Sequence, residues 1–187
     1  MSTSIYWILP KLQLLWAKLL HVAHLATAIV TVHPDVPPGR AAHAAIHINI
    51  AADGEDEALL AEIAYGESGY IVTKVNGRYG ACGPMQTLFD KKSRANQDRR
   101  CKPILADALK GYRAGVQKLR DAREHCHRHR QYDVLCDLAG FRSGPAGIYN
   151  RWYAKPREIL ARRDRLHDVV RELELQNQPL PRPTYDW

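Results

Sequence analysis

The chain has 187 residues, 45% of them hydrophobic, enough for one globular core and a short appendage. A formal charge of +7 points to an anionic neighbour. The arginines are scattered and no nucleic-acid motif appears, so a nucleic-acid partner is not expected, while cell wall and lipid head groups both fit. None of Cys82, Cys101, Cys126 and Cys136 forms a Cys-x-x-Cys pair, which argues against a zinc ribbon or a thioredoxin-like motif. They leave two disulfides in one of three pairings, or four buried thiols.

Residues 5–32 are strongly apolar, interrupted by Pro10, Lys11, Lys18, His21 and His24. The longest charge-free run, residues 19–33, falls short of the roughly twenty residues of a clean span. Three readings compete. A secretory signal would be cleaved near Ala26-Thr27-Ala28. An interfacial helix would gather Lys11, Lys18 and His21 on one side. The third is an ordinary packing helix. Export or membrane association ranks ahead of the third, which places the chain in the cell envelope or periplasm, or on a phage. The stretch from His33-Pro34 to Pro38-Gly39 has linker composition, so residues 1–40 are set apart from a domain over 41–175 and a Pro-rich tail over 176–187.

Within 41–52, His43 and His47 stand four apart without a Glu-bearing zinc motif and read as packing residues. Acidic residues 53–57 then open a helix, where its dipole favours negative charge. Leu59, Ile63 and Glu67 share one face with Leu60 and Ala64, apolar until its last member. Gly66 and Gly69 read as helix-ending residues. Glu67 thus lies at the carbonyl end of a helix and points towards the core. Desolvation and the helix end should both favour its protonated form, which suits a general acid. Glu62, one residue off the apolar face, reads as solvated. Asn76-Gly77 signals a turn, Gly77, Gly80 and Gly83 make a loop, and a helix is expected to start at Thr87-Leu88-Phe89.

Glu67-Ser68-Gly69 followed by Gly83-Pro84-Met85-Gln86 resembles the soluble lytic transglycosylases, the lysozyme-like enzymes that cut peptidoglycan strands. Their catalytic Glu stands in Glu-Ser-Gly/Arg, and a Gly-Leu-Met-Gln segment follows at about this spacing. The resemblance implies a mainly α, lysozyme-like domain with a small Gly-rich loop or hairpin after the catalytic helix. It also implies Glu67 as the catalytic acid, peptidoglycan glycan strands as partner, and no cofactor or metal. Ser68, Met85 and Gln86 become substrate-contacting candidates by motif position, with Tyr79 beside them.

Residues 90–102 read as a basic connector, and residues 104–130 as one long helix with a stripe of Leu105, Leu109, Tyr112, Val116 and Leu119. Its end, His125-Cys126-His127-Arg128-His129, reads as a solvated basic end rather than a metal site, because alternating ligands on a helix do not face one another. Residues 132–139 form a further apolar helix leading into Gly140-Phe141-Arg142-Ser143-Gly144-Pro145. This segment resembles the family's Ala-Tyr-Asn-Ala-Gly stretch, with Phe141 in place of a tyrosine whose hydroxyl lies near the catalytic Glu, and Arg142 in place of an asparagine. Both join the substrate-contacting candidates. A last amphipathic helix spans 155–175.

Most glycosidases need two carboxylates. No Asp or Glu lies between Gly69 and Phe89, and Asp90 is only a reserve. That favours a single-Glu mechanism that leaves a 1,6-anhydro product. Two alternatives share the fold, a lysozyme-type hydrolase and a non-catalytic peptidoglycan-binding or phage structural protein. A basic nucleic-acid-binding helical protein rests on charge alone.

Overall fold

Helix α3 (Glu57–Ser68) sits at the centre of the fold, and every residue from Ala58 to Ala64 is buried. Asp56 fixes its start by accepting the Leu59 N–H at 3.0 Å. Gly69 ends it in the left-handed region, φ 63°, where its N–H donates to the Tyr65 carbonyl at 2.8 Å. Gly66 does not end the helix. It lies inside α3, where a Cβ would stand 3.5 Å from Arg162 Nη2.

The computed structural model describes residues 5–76, 81–88, 94–144 and 153–177, with positions 146 and 149. Among them the chain is mainly helical. Around α3 stand α1 (Ile5–Val32), α2 (Pro38–Ala52), α4 (Arg94–Ala106), α5 (Ala108–Arg128), α6 (Val134–Ser143) and α7 (Ala154–Gln176). Helices α2 and α7 pack on α3, α1 packs on α2 and α7, and α5 packs on α2 and α6. Arg120 and Arg123 of α5 hold Glu55, just ahead of α3, at 3.0 and 2.9 Å. The Arg123 bond, with Arg120 behind it, keeps the Glu55 carboxyl below the usual range against the opposing effect of burial.

Helix α1 has two unlike halves. Residues 10–20 are exposed on every side, whereas Leu25, Ala28 and Ile29 belong to the same core as Leu60, Ile63 and Phe141. His21 marks the changeover, bonded to Glu57 at 3.1 Å and Glu174 at 3.2 Å. Those carboxylates, Glu57 first, raise its pKa to about 9, so it is cationic at neutral pH. The break expected at residue 40 is therefore not a break in packing, and Ala26-Thr27-Ala28 lies inside the folded domain. The linker is short: Val36 N–H donates to the His33 carbonyl at 3.0 Å, and α2 begins at Pro38, where a missing N–H costs nothing.

The stretch between α3 and α4 departs from expectation in one respect. Thr87 and Leu88 form a strand, β3 (Thr87–Leu88), instead of starting a helix. It pairs antiparallel with β2 (Ala81–Cys82), which pairs antiparallel with β1 (Val75–Asn76). A small three-stranded antiparallel sheet thus follows α3, with Gly77 and Gly80 outside the described residues. The turn from Gly83 to Gln86 rests on α5 at two glycines. A Cβ on Gly111 would come within 2.6 Å of Pro84 Cδ, and one on Gly115 within 2.7 Å of Met85 Cβ.

Two further expectations change. The connector over 90–102 is largely helical, since α4 starts at Arg94. The single helix over 104–130 is broken at Asp107, whose carboxylate accepts the Leu109 N–H at 3.0 Å and caps α5. The cysteines form two disulfides: Cys82–Cys101 ties β2 to α4, and Cys126–Cys136 ties the end of α5 to α6. Cys126 is thereby spent on a bridge and not offered to a metal. Helix α7 runs as expected. The tail beyond residue 177 lies outside the described residues.

Candidate active site

Glu67 stands in the last turn of α3 and faces Arg142 of α6. Arg142 Nη1 donates to Glu67 Oε1 at 2.6 Å, with the Glu67 side chain 19% exposed and that of Arg142 30% exposed. The carboxylate is neither loose in solvent nor sealed in the core. Burial and the helix end are not the only influences on Glu67: a guanidinium 75 residues further along the chain faces it directly.

Next to it, the two motifs meet. Ser68 Oγ donates to the Pro84 carbonyl at 2.6 Å and accepts the Ile71 N–H at 3.1 Å. Gln86 Nε2 donates to the carbonyls of Lys74 at 3.0 Å and Gly83 at 2.9 Å, holding the turn closed from the other side. Met85 is completely buried against Gly115 of α5. These bonds fix the end of α3, and with it the direction of Glu67.

That geometry changes the role of most substrate-contacting candidates. Ser68, Met85, Gln86 and Phe141 are all buried, and the polar atoms of Ser68 and Gln86 are engaged inside the fold. Among the described residues, Arg142 alone of the candidates combines partial exposure with direct contact to Glu67. Tyr79 and Asp90 lie outside the described residues. A cleft of about 410 Å³ adjoins Arg142 and is lined by Ser68 and Gly69 and by the charged groups Lys74, Arg142, Lys155 and Arg162, with Glu67 itself outside the lining. Asp35 and Glu158 also line it, and Glu158 is paired with Lys155 at 2.7 Å.

A residue missed at the level of sequence completes the site. Lys118 of α5 is mostly buried, with its Nζ 4.3 Å above the centre of the Phe141 ring. Burial lowers its pKa to about 8, with the Glu67 charge pulling it up and Arg142 pushing it down. The signal was there: Lys118 follows Gly115 by three and Gly111 by seven, so it shares the helix side where missing side chains leave room.

A lysine whose folded pKa lies below its ordinary value of 10.5 costs stability wherever it is charged. The cost is full below about pH 8 and vanishes as pH rises towards 10.5. Lys118→Met should therefore stabilise the protein by about 1–3 kcal/mol at pH 7, and the gain should fade at alkaline pH. Urea melts of parent and variant from pH 6 to 10 check this. A difference that stays constant with pH would show that charge burial is not its cause.

Glu62 also differs from expectation. Read as solvated, it is fully buried, with Oε1 2.6 Å from His33 Nε2 and Oε2 2.7 Å from Arg162 Nε. His33 in turn stacks on Tyr65, ring centres 3.6 Å apart, and the Tyr65 hydroxyl donates to Asp35 at 3.1 Å. Glu62 is thus a joint between α1, α3 and α7, set back from the cleft. No protein-family model, curated protein or solved structure matches the chain, so the family resemblance rests on its sequence motifs alone.

Proposed function

We propose that the chain is a lytic transglycosylase on a lysozyme-like helical domain, cleaving the MurNAc–GlcNAc β-1,4 bond of peptidoglycan with Glu67 as its single acid and base. The observation that carries this reading is the Ser68–Pro84 contact, which joins the two motifs and aims Glu67 from the end of α3. The absence of Asp and Glu between Gly69 and Phe89 supports the one-carboxylate chemistry.

Glu67 gives its proton to the glycosidic oxygen as the C1–O bond breaks, and the substrate's own acetamido group stabilises the cation that develops at C1. The carboxylate left behind forms in the field of Lys118, whose positive charge stabilises it. Glu67 then takes the proton of the muramic 6-hydroxyl, whose oxygen bonds to C1 and closes the 1,6-anhydro ring. Atoms balance without water. For the first step, substrate must take Arg142 off the carboxylate, and the sugar or its peptide stem is the natural new partner for that guanidinium.

Mass spectrometry of fragments released from purified peptidoglycan tests the proposal. Anhydro-ended muropeptides are expected, one water lighter than reducing-end products. Products carrying the water would make the chain a lysozyme-type hydrolase. The Glu67–Arg142 pair also favours a second reading, a non-catalytic wall-binding or phage structural protein in which that pair is permanent. Sacculi that pull the protein down and release no fragments would establish it.

A further inference from the structure

We propose that the first half of α1 (residues 5–20), exposed over residues 10–20, is an anchor that lies along the head-group region of an anionic lipid bilayer while the second half of α1 stays folded in the domain. Leu12, Leu15, Trp16 and Leu19 fall at i, i+3, i+4 and i+7 on one side of the helix, 55%, 55%, 70% and 55% exposed, and line a shallow apolar depression. Lys11 and Lys18, seven apart, run along the flank of that face. Leu14 and Leu20 carry further exposed apolar surface outside that face, and an apolar surface flanked by lysines, with a tryptophan in it, suits a helix lying at the depth of the head groups.

A bilayer span fits the geometry less well. The window long and apolar enough to cross, Pro10–Val32, includes Leu25, Ala28 and Ile29, which are core residues. Threading it through lipid would pull them out and break His21 from Glu57 and Glu174. The first half alone is about 24 Å long, short of the roughly 30 Å hydrocarbon core. A second copy of the chain is the other candidate occupant of this face. It would bring the same lysines and the same net charge of +7 against themselves, whereas anionic lipid complements both.

Cosedimentation of the full chain with phosphatidylcholine vesicles, with and without phosphatidylglycerol, tests the anchor. The chain should pellet with the anionic vesicles, and Lys11→Gln and Lys18→Gln should each weaken binding about fivefold in low salt. Leu15→Ser with Leu19→Ser should abolish it and leave the circular dichroism unchanged, because both side chains are already in solvent. Failure to pellet with either vesicle overturns the proposal. So does a dimer in sedimentation velocity that the leucine variant dissolves without any vesicle binding, which would make the occupant a second copy. An N-terminal tag shielded from protease added outside sealed vesicles would mean a span and refute a surface anchor. The vesicles carry no glycan, so this result is independent of the cleavage reading.

Discussion

Glu67→Gln should cut fragment release from purified peptidoglycan by about 10²–10⁴-fold, towards the upper end because one group performs both proton transfers. Glutamine keeps the shape of the side chain and can still accept the Arg142 Nη1 bond now made at 2.6 Å. It can neither supply the acidic proton nor take it back. Thermal or urea unfolding should move by no more than about 1 kcal/mol, since the pair is partly exposed and such pairs contribute little. Steady-state release and a melt on the same preparation separate the two effects. A variant that keeps most of its activity would remove Glu67 from the mechanism. A variant that loses activity only because it unfolds would leave the role of Glu67 to be tested by Glu67→Asp.

The largest effect on stability is expected at Glu62→Ala. The carboxylate is fully buried and bonds to groups from two other parts of the fold, His33 just after α1 and Arg162 on α7. Removing it leaves the Arg162 guanidinium without its partner next to a buried imidazole. Breaking a buried pair in this way costs about 3–5 kcal/mol, a large share of the 5–15 kcal/mol that holds a typical domain together. For a chain of this size that corresponds to a drop in Tm of roughly 6–20 °C. Glu62→Gln, which keeps an acceptor for Arg162 but drops the charge, should lose less. A loss below about 1 kcal/mol in the alanine variant would mean that water reaches the site and that Glu62 is not sealed as the packing implies.

Much of the architecture was legible because it depends on neighbours in sequence. The apolar period from Leu59 to Ile63 places α3, the acids before it and Gly69 after it set its ends, and Glu67 falls in its last turn. Pairing the cysteines was beyond the sequence, since the bridges join β2 to α4 and α5 to α6, whose approach is a matter of packing. Thr87-Leu88 misled for a related reason. Its local signal suited a helix start, but the ladder to Cys82 makes it a strand.

What the sequence by itself determined is the mainly helical class, the position of Glu67 at a helix end, and a Gly-bearing turn after it. Tertiary structure decided what surrounds those charges. Glu62 reads as solvated from its place beside the apolar stripe, yet α2 and α7 pack on α3 and every residue from Ala58 to Ala64 is buried. Arg162 stands three after Ile159 and four before Leu166, in the buried stripe of α7, which hinted at an inward charge without naming its partner. Arg142 reaches Glu67 from α6 in the same way, and Lys118 of α5 lies close enough for its charge to act on Glu67. Periodicity records which face of a helix is apolar. The charge environment of a carboxylate depends on groups within a few ångströms in space, and here those come from residues 29, 75 and 100 positions away.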